Sequence, residues 1–287
     1  METKAAVNPA AVRQRMAAGY SRVAERYQRF ILPHFLPMAQ RLVAALQPSP
    51  GDDILDLATG GGAMLDALAA HPWRRRLVAA DLANNALEVA RNRHPEADFV
   101  LLDLEVPPPF RQASFDVITC SFGLNHLANA SACLLRLRPL LRPGGRIGVT
   151  SWRRSSTSAL GRRFDEHLAE ALGTNKEEDA KDAEFDRMIE ASLRTLRSAR
   201  RLRRLFLDSG YRIARVEQHV LRFSFSSVRD YVDYRLSWGD TAARAAPLGH
   251  EAAEVLSRSL EAEVDGRTPL SWGREYLVTV GEPDATR

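Results

Sequence analysis

Three acids and a glycine turn carry the densest chemistry in this sequence. The run Asp53-Ile-Leu-Asp-Leu-Ala-Thr-Gly-Gly-Gly ends at Gly62 and sets Asp56 near the end of an apolar strand, followed by Ala58, Thr59, Gly60 and Gly62. Glycines are needed where backbone must approach a ligand to van der Waals distance or where φ is positive. Begun at Gly60, the dinucleotide pattern G-x-G-x-x-G meets Leu65 at its third glycine; begun at Ala58, it keeps only Gly60. The Gly-Lys-Ser/Thr ending of a P-loop is missing too. The run fits acid-x-small-x-Gly-x-Gly instead. Two more acids stand at the ends of the next strand-like runs. Asp81, followed by Leu82, is placed to accept hydrogen bonds from both hydroxyls of a ribose. Asp103, with the backbone at Leu104, is placed to read an adenine edge. Such charge-assisted bonds contribute roughly 1.5–3 kcal/mol each.

These residues need a frame that brings strand ends together. Strand-like runs cover Asp53 to Ala58, Leu77 to Leu82, Ala97 to Leu102, Phe115 to Phe122 and Arg146 to Trp152, with helical runs at Ala63 to Ala70, Asn85 to Arg93 and Ala128 to Leu141. This alternation predicts an α/β, doubly wound, mostly parallel Rossmann-like sheet. Pro143-Gly144-Gly145 reads as the turn before the fifth strand. Upstream, residues 11–46 read as helical, broken by Pro33 and Pro37. Downstream, residues 155–193 are helical and richly charged, Tyr211 to Phe225 alternates like a strand, Val228 to Glu263 is helical, and Tyr276 to Val280 is a last strand. The expected organisation is a helical cap over 1–46, a core over 47–152, and 153–287 supplying two helical lid insertions and two final strands.

At these residues the chain resembles the class I S-adenosylmethionine-dependent methyltransferases, above all the ubiquinone/menaquinone-biosynthesis branch and its natural-product relatives. Ala58 within the glycine motif, Phe115-Asp116-Val117-Ile118 with Ser121-Phe122-Gly123-Leu124, and Leu141-Arg142-Pro143-Gly144-Gly145-Arg146 resemble motifs of that branch. Tyr20, Val23, Ala24 and Tyr27 resemble its N-terminal helix, which covers the cofactor. The resemblance implies a seven-stranded sheet and S-adenosylmethionine as cofactor. It implies that Gly60 and Gly62 approach the methionine part, with Asp56 and Ala58 in the same cradle and Thr59 toward the carboxylate. Asp81 and Leu82 would then meet the ribose, Asp103 and Leu104 the adenine, and Ser121 would line the path to the sulfonium.

Methyl transfer to a hydroxyl also needs a proton removed. His126, just past the fourth strand, is placed to act as that base; a helix-capping or pocket-shaping role is the alternative. Tyr27, Asn125, Trp152 and Arg153 are placed to wall an acceptor pocket, and Tyr231, Tyr234 and Trp238 to close it. Alternative functions are a nucleic-acid methyltransferase, a cofactor-binding scaffold or cyclase, and a prenyl diphosphate C-methyltransferase using Arg153, Arg154, Arg162 or Arg163. The first lacks support: Ser121-Phe122-Gly123-Leu124 is not the Asn/Asp-Pro-Pro-aromatic motif, and Cys120 is not preceded by proline.

Composition agrees with a small-molecule enzyme. The 287 residues are 45% hydrophobic and 26% charged, with a formal net charge of +4 spread over both signs along the chain, so no nucleic acid is expected as a partner. The arginine-rich run from Arg194 to Arg204 reads as the solvated face of an amphipathic helix. Cys120 and Cys133 are the only cysteines and lie in apolar segments, so neither a disulfide scaffold nor a metal quartet is expected. With no signal-like or membrane-spanning run, a cytoplasmic protein is expected, with no membrane partner, a small-molecule acceptor and a homodimer as an admissible assembly.

Overall fold

The computed structural model describes residues 9–70, 76–153, 158–173, 190, 193–264 and 270–284. Three helices open the chain: α1 (Pro9–Arg22), α2 (Ala24–Phe30) and α3 (Leu32–Leu46). Then β1 (Asp53–Leu57), α4 (Ala63–Ala69), β2 (Arg76–Asp81), α5 (Asn84–Arg93), β3 (Asp98–Leu101), β4 (Phe115–Ser121), α6 (Ala130–Leu137) and β5 (Leu141–Trp152) form the alternating core. The remainder is α7 (Ala159–Leu172), α8 (Ala199–Asp208), β6 (Tyr211–Ser224), α9 (Val228–Arg235), α10 (Gly239–Ala245), α11 (Ala252–Glu263) and β7 (Ser271–Pro283).

The seven strands lie in the order β3-β2-β1-β4-β5-β7-β6. All neighbours are parallel except β7, which runs antiparallel to both β5 and β6. Parallel strands covered on both faces read as continuous apolar runs, and every residue of β1 is buried. The two faces carry separate cores. One packs Phe35, Met38, Leu42 and Leu46 of α3 with Trp152, Phe164, Tyr234 and Leu256; the other packs Leu134, Leu137, Leu202 and Phe206 under Leu55, Ile118 and Val149. In α8 only Leu202 and Phe206 are buried, one turn apart, while Arg200, Arg201 and Arg204 stay out, as the amphipathic reading requires. The first strand crossing sits between β1 and β4, where the chain order reverses and the carboxyl edge opens a crevice.

Several expectations need correction. Pro37 does not break a helix: it lies inside α3, and Pro33 occupies its first turn, where a missing N–H costs nothing. The breaks fall at Val23 and Ile31 instead. The helix expected to Leu141 ends at Leu137, and Arg138–Leu140, around Pro139, is a 3-10 turn. Pro143-Gly144-Gly145 is not a turn outside the sheet but a bulge within β5, because Phe115 pairs with Leu141 and Val117 with Arg146. The last strand runs from Ser271, five residues before the expected start, and continues to Pro283; polar alternation hid its ends. Val228 to Glu263 is three α-helices with a 3-10 turn over Ala246–Glu251. Of the charged stretch 155–193, α7 is helical, while residues 174–189 and Arg154 lie outside the described residues.

The first insertion leaves β5 at the carboxyl edge and rejoins the sheet at the opposite edge, where β6 begins, whereas the second leaves and rejoins at the carboxyl edge. β6 ends and β7 begins there side by side, and the Phe225 N–H donates to the Leu270 carbonyl at 3.0 Å, closing the neck of the second insertion. No helix among the described residues is long and apolar enough to cross a membrane.

Candidate active site

The glycine turn follows from what β1 meets at its carboxyl end. Asp56 is buried between β1 and β4, where its Oδ1 accepts from the Thr119 hydroxyl at 2.6 Å. Burial pushes its carboxyl up to about 7, against the pull of the Thr119 and Thr59 hydroxyls. Ala58 then takes φ +53°, a left-handed conformation that costs a residue with a Cβ about 1 kcal/mol or more. Thr59 is buried; its N–H donates to Ala80 O at 3.1 Å and its carbonyl accepts from Gly62 N–H at 2.9 Å. Gly60 and Gly62 have φ of +53° and +92°, left-handed values that glycine takes without a Cβ penalty. Arg93 clamps the turn from behind, donating to Gly61 O at 2.6 Å and to Asp66, which His94 also meets at 2.9 Å.

Asp81 is tied directly to that turn. Its Oδ2 accepts from Gly60 N–H at 2.8 Å and its Oδ1 from Ala83 N–H at 2.9 Å, with the Leu82 amide also turned to it. Burial raises its pKa while these amides oppose the shift. Asp103 accepts from Glu105 N–H through Oδ1 and pairs through Oδ2 with Arg13 of α1, both at 2.9 Å. Leu104 turns its carbonyl to Arg136 at 2.7 Å. The three acids therefore do meet at one edge, and α1 crosses over them.

Past β4, Phe122 also has a positive φ, +59°, and opens the 3-10 turn Gly123–His126. Ser121 Oγ lies 2.9 Å from Thr150 Oγ1 on β5. Asn125 is buried, and neither its Nδ2 nor its Oδ1 has a hydrogen-bond partner among the described residues. His126 packs edge-on against Tyr20, with ring centroids 5.6 Å apart. Burial lowers its pKa; Asp240 opposes the shift. An aromatic wall continues from there: Tyr20 to Tyr27 at 5.8 Å, Tyr27 to Trp238 at 6.0 Å, and Trp238 to Tyr234 at 5.9 Å. Phe35 joins Trp238 to Phe122, and Phe122 lies 4.4 Å from Trp152.

Two expected pocket residues are committed to partners within the fold. Tyr231 is fully buried against Phe164, Phe225 and Trp272, and its hydroxyl accepts from Arg235 at 2.9 Å. Arg153 pairs with Glu275 at 2.8 Å, and Arg163 pairs with Glu263, so neither is an uncommitted phosphate ligand. Sequence reasoning did not single out Arg13 or Phe35, and named Phe122 only within the run Ser121 to Leu124. Phe35 lies on the buried face of α3 with Met38 and Leu42, a helical spacing legible in the sequence; Arg13 carries no local signal.

Strand order 3-2-1-4-5-7-6 with one reversed strand, a glycine turn after β1 and an acid closing β2 together define the Rossmann-like methyltransferase fold. The sequence pattern of the methyltransferase domain matches residues 55–149. A demethylmenaquinone methyltransferase of Renibacterium salmoninarum is 30% identical over 163 residues, 55% of this chain and 67% of that one. Aklanonic acid methyltransferase of a Streptomyces is 30% identical over 145 residues, 48% of this chain and 66% of that one. A Bacillus halodurans protein proposed to be a methyltransferase has the same fold, with a TM-score of 0.54 at 17% identity, covering 86% of this chain and 99% of its own. The chain belongs to the class I S-adenosylmethionine-dependent methyltransferases, in the ubiquinone/menaquinone branch. It spans about half to two thirds of the length of the curated relatives it matches.

Proposed function

We propose that this chain methylates a small aromatic acceptor from S-adenosylmethionine, at an oxygen or carbon whose proton must leave, in secondary metabolism. The observation that carries the reading is Asp81: a half-buried carboxylate bonded to the glycine turn, on the same strand edge as His126 and the aromatic wall. The residues fit the cofactor. A Cβ built on Gly60 meets nothing within 4 Å, so open space lies beside the turn, and lone pairs remain on both Asp81 oxygens for ribose hydroxyls. When bound, the cofactor supplies a methyl made electrophilic by the sulfonium charge.

The chain's own work is alignment and proton removal. Asp81 holds the ribose end, Asp103 the adenine end, and Thr59 with Gly60 and Gly62 the methionine end. Tyr27, Phe35, Phe122, Trp152 and Trp238 offer faces and edges to a planar acceptor and exclude water. Orientation of this kind is worth several kcal/mol. His126, whose pKa is lowered by desolvation, takes the acceptor proton as the methyl bond forms. The cap over residues 1–46 and the insertions within 153–287 close the site over the core of 47–152. Relatives named for demethylmenaquinone and aklanonic acid support a small organic acceptor over a nucleic acid. A cytoplasmic location goes with this reading.

Titration calorimetry tests it. S-adenosylhomocysteine should bind 1:1, and Asp81→Ala should weaken binding by roughly 3–6 kcal/mol, the sum of two charge-assisted hydrogen bonds. Unchanged affinity in a folded Asp81→Ala protein would remove Asp81, and with it the reading, from this edge.

A further inference from the structure

Several arginines are paired across the fold: Arg142 with Asp53 and Asp116, Arg235 with Asp165, Arg93 with Asp66. Arg274 is different. It makes no hydrogen bond or ion pair among the described residues, and its Nε is shut off from solvent without a partner. Its guanidinium lies over the Trp152 ring, with Cζ 3.8 Å from the centroid. Burial draws its pKa down to about 10, Arg197 adds to the shift, and Tyr234 opposes it. Stacking on an aromatic ring returns part of the lost hydration, but a half-buried cation without a counterion is costly to keep.

Its position gives the cost a use. Tyr276 of β7 pairs with Trp152, the last residue of β5, so Arg274 stands two residues beyond, over the carboxyl edge. Its cross-strand neighbour is Leu221, and its side of the sheet is that of Trp152, Phe223 and Tyr276, the face that carries the aromatic wall. Trp152 in turn contacts Phe122, the residue after β4, beside the turn that bears His126. An anionic group on a planar acceptor lying along this wall would meet Arg274 at one end while its reacting atom faced His126. We infer that Arg274 is an acceptor-binding residue and that the acceptor carries a carboxylate or a comparably acidic enol. This rests on the methyl-transfer reading of the same site.

The two can fail separately. Protein saturated with S-adenosylhomocysteine is titrated with anthraquinone-2-carboxylate and with the uncharged anthraquinone-2-carboxamide, following tryptophan fluorescence. The native protein should hold the carboxylate at least tenfold more tightly than the amide. Arg274→Met should bring the two within about twofold, leave S-adenosylhomocysteine affinity unchanged and keep the melting temperature at or above the native value. Arg274→Lys, which retains charge but loses the planar fork, should keep part of the preference. Equal affinity of the native protein for both probes, or no binding of the carboxylate at millimolar concentration, overturns the assignment even where the cofactor product binds well. A less stable Arg274→Met with its carboxylate preference intact would make Arg274 a packing residue only. Failure of S-adenosylhomocysteine to bind at all overturns the broader reading instead.

Discussion

Ala58 and Gly123 form a pair that a single-residue view would miss. A Cβ on Gly123 would fall 2.5 Å from the Ala58 Cβ and 2.7 Å from Cys120 Sγ, so Gly123→Ala must push the β4 turn off β1. Overpacking of this kind costs typically about 1–3 kcal/mol. Denaturant melts should find that loss, and Ala58→Gly, which removes one of the two clashes and the strain at φ +53°, should restore part of it. Strict additivity of the two changes would mean that the residues do not touch. His126 sets the second expectation at this scale. Its pKa is lowered by burial, so the base form persists below the ordinary histidine value near 6.5. Turnover should therefore rise with pH along a limb lying below that value. For the same reason the folded state loses stability as pH falls from about 6.5 toward the lower folded pKa, because the unfolded chain binds the proton first. With a hydroxyl acceptor, His126→Gln should keep cofactor affinity, lower kcat by about 10²–10⁴ and lose the acid limb. Near-native turnover in that variant would leave His126 as a wall of the pocket.

At the scale of elements, α1 is the helix that ties the N-terminal segment to the strand edge. It reaches the edge through the Arg13–Asp103 pair and the Tyr20–His126 contact, and it crosses α10 so closely that a Cβ on Gly19 would lie 3.0 Å from Gly239 O. Hydrogen exchange over residues 9–35 and 228–263 should slow when S-adenosylhomocysteine and acceptor bind, and Gly239→Ala, whose Cβ would meet Tyr20 N at 2.9 Å, should speed it again in α1. Protection confined to Gly60 and Asp81 would make these helices mere packing. This layer was half legible in the sequence. β1 and β2 showed themselves as buried apolar runs ending in acids, which is how Asp56 and Asp81 were found, and Asp103 stood just past the third strand-like run. β5 was read as starting at Arg146 because Pro143-Gly144-Gly145 looks like a turn, whereas pairing to Phe115 decides the matter. α3 kept Pro37 because its buried face, from Phe35 to Leu46, outweighs one lost backbone hydrogen bond. Arg13 and Arg274 were out of reach, since nothing local marks an arginine whose partner or ring lies 90 or 122 positions away.

Across the whole molecule, the site draws on α1, the β1 turn, the β4 turn, β5, the second insertion and β7, parts spread from Arg13 to Arg274. A ligand held by all of them stabilises the folded chain as a unit. At a hundred times its dissociation constant, S-adenosylhomocysteine should add about 2.7 kcal/mol. For a chain of this length that is a rise in melting temperature of roughly 5 °C, at about 2 °C per kcal/mol. The Asp81→Ala protein should show almost none of it at the same concentration. A native protein that melts at the same temperature with and without the compound would refute binding at this edge.

The reversal of β7 has a historical consequence. Because β6 ends where β7 begins, and the Phe225–Leu270 bond joins the two, the segment between them hangs from a single neck. Lengthening or rewriting such a closed loop costs only slowly growing closure entropy. A lineage could thus exchange that segment wholesale while the nucleoside cradle on β1 and β2 stayed untouched. Chemistry and appetite would then be inherited separately, and chains descended from one ancestor could keep the same donor while feeding on unrelated acceptors.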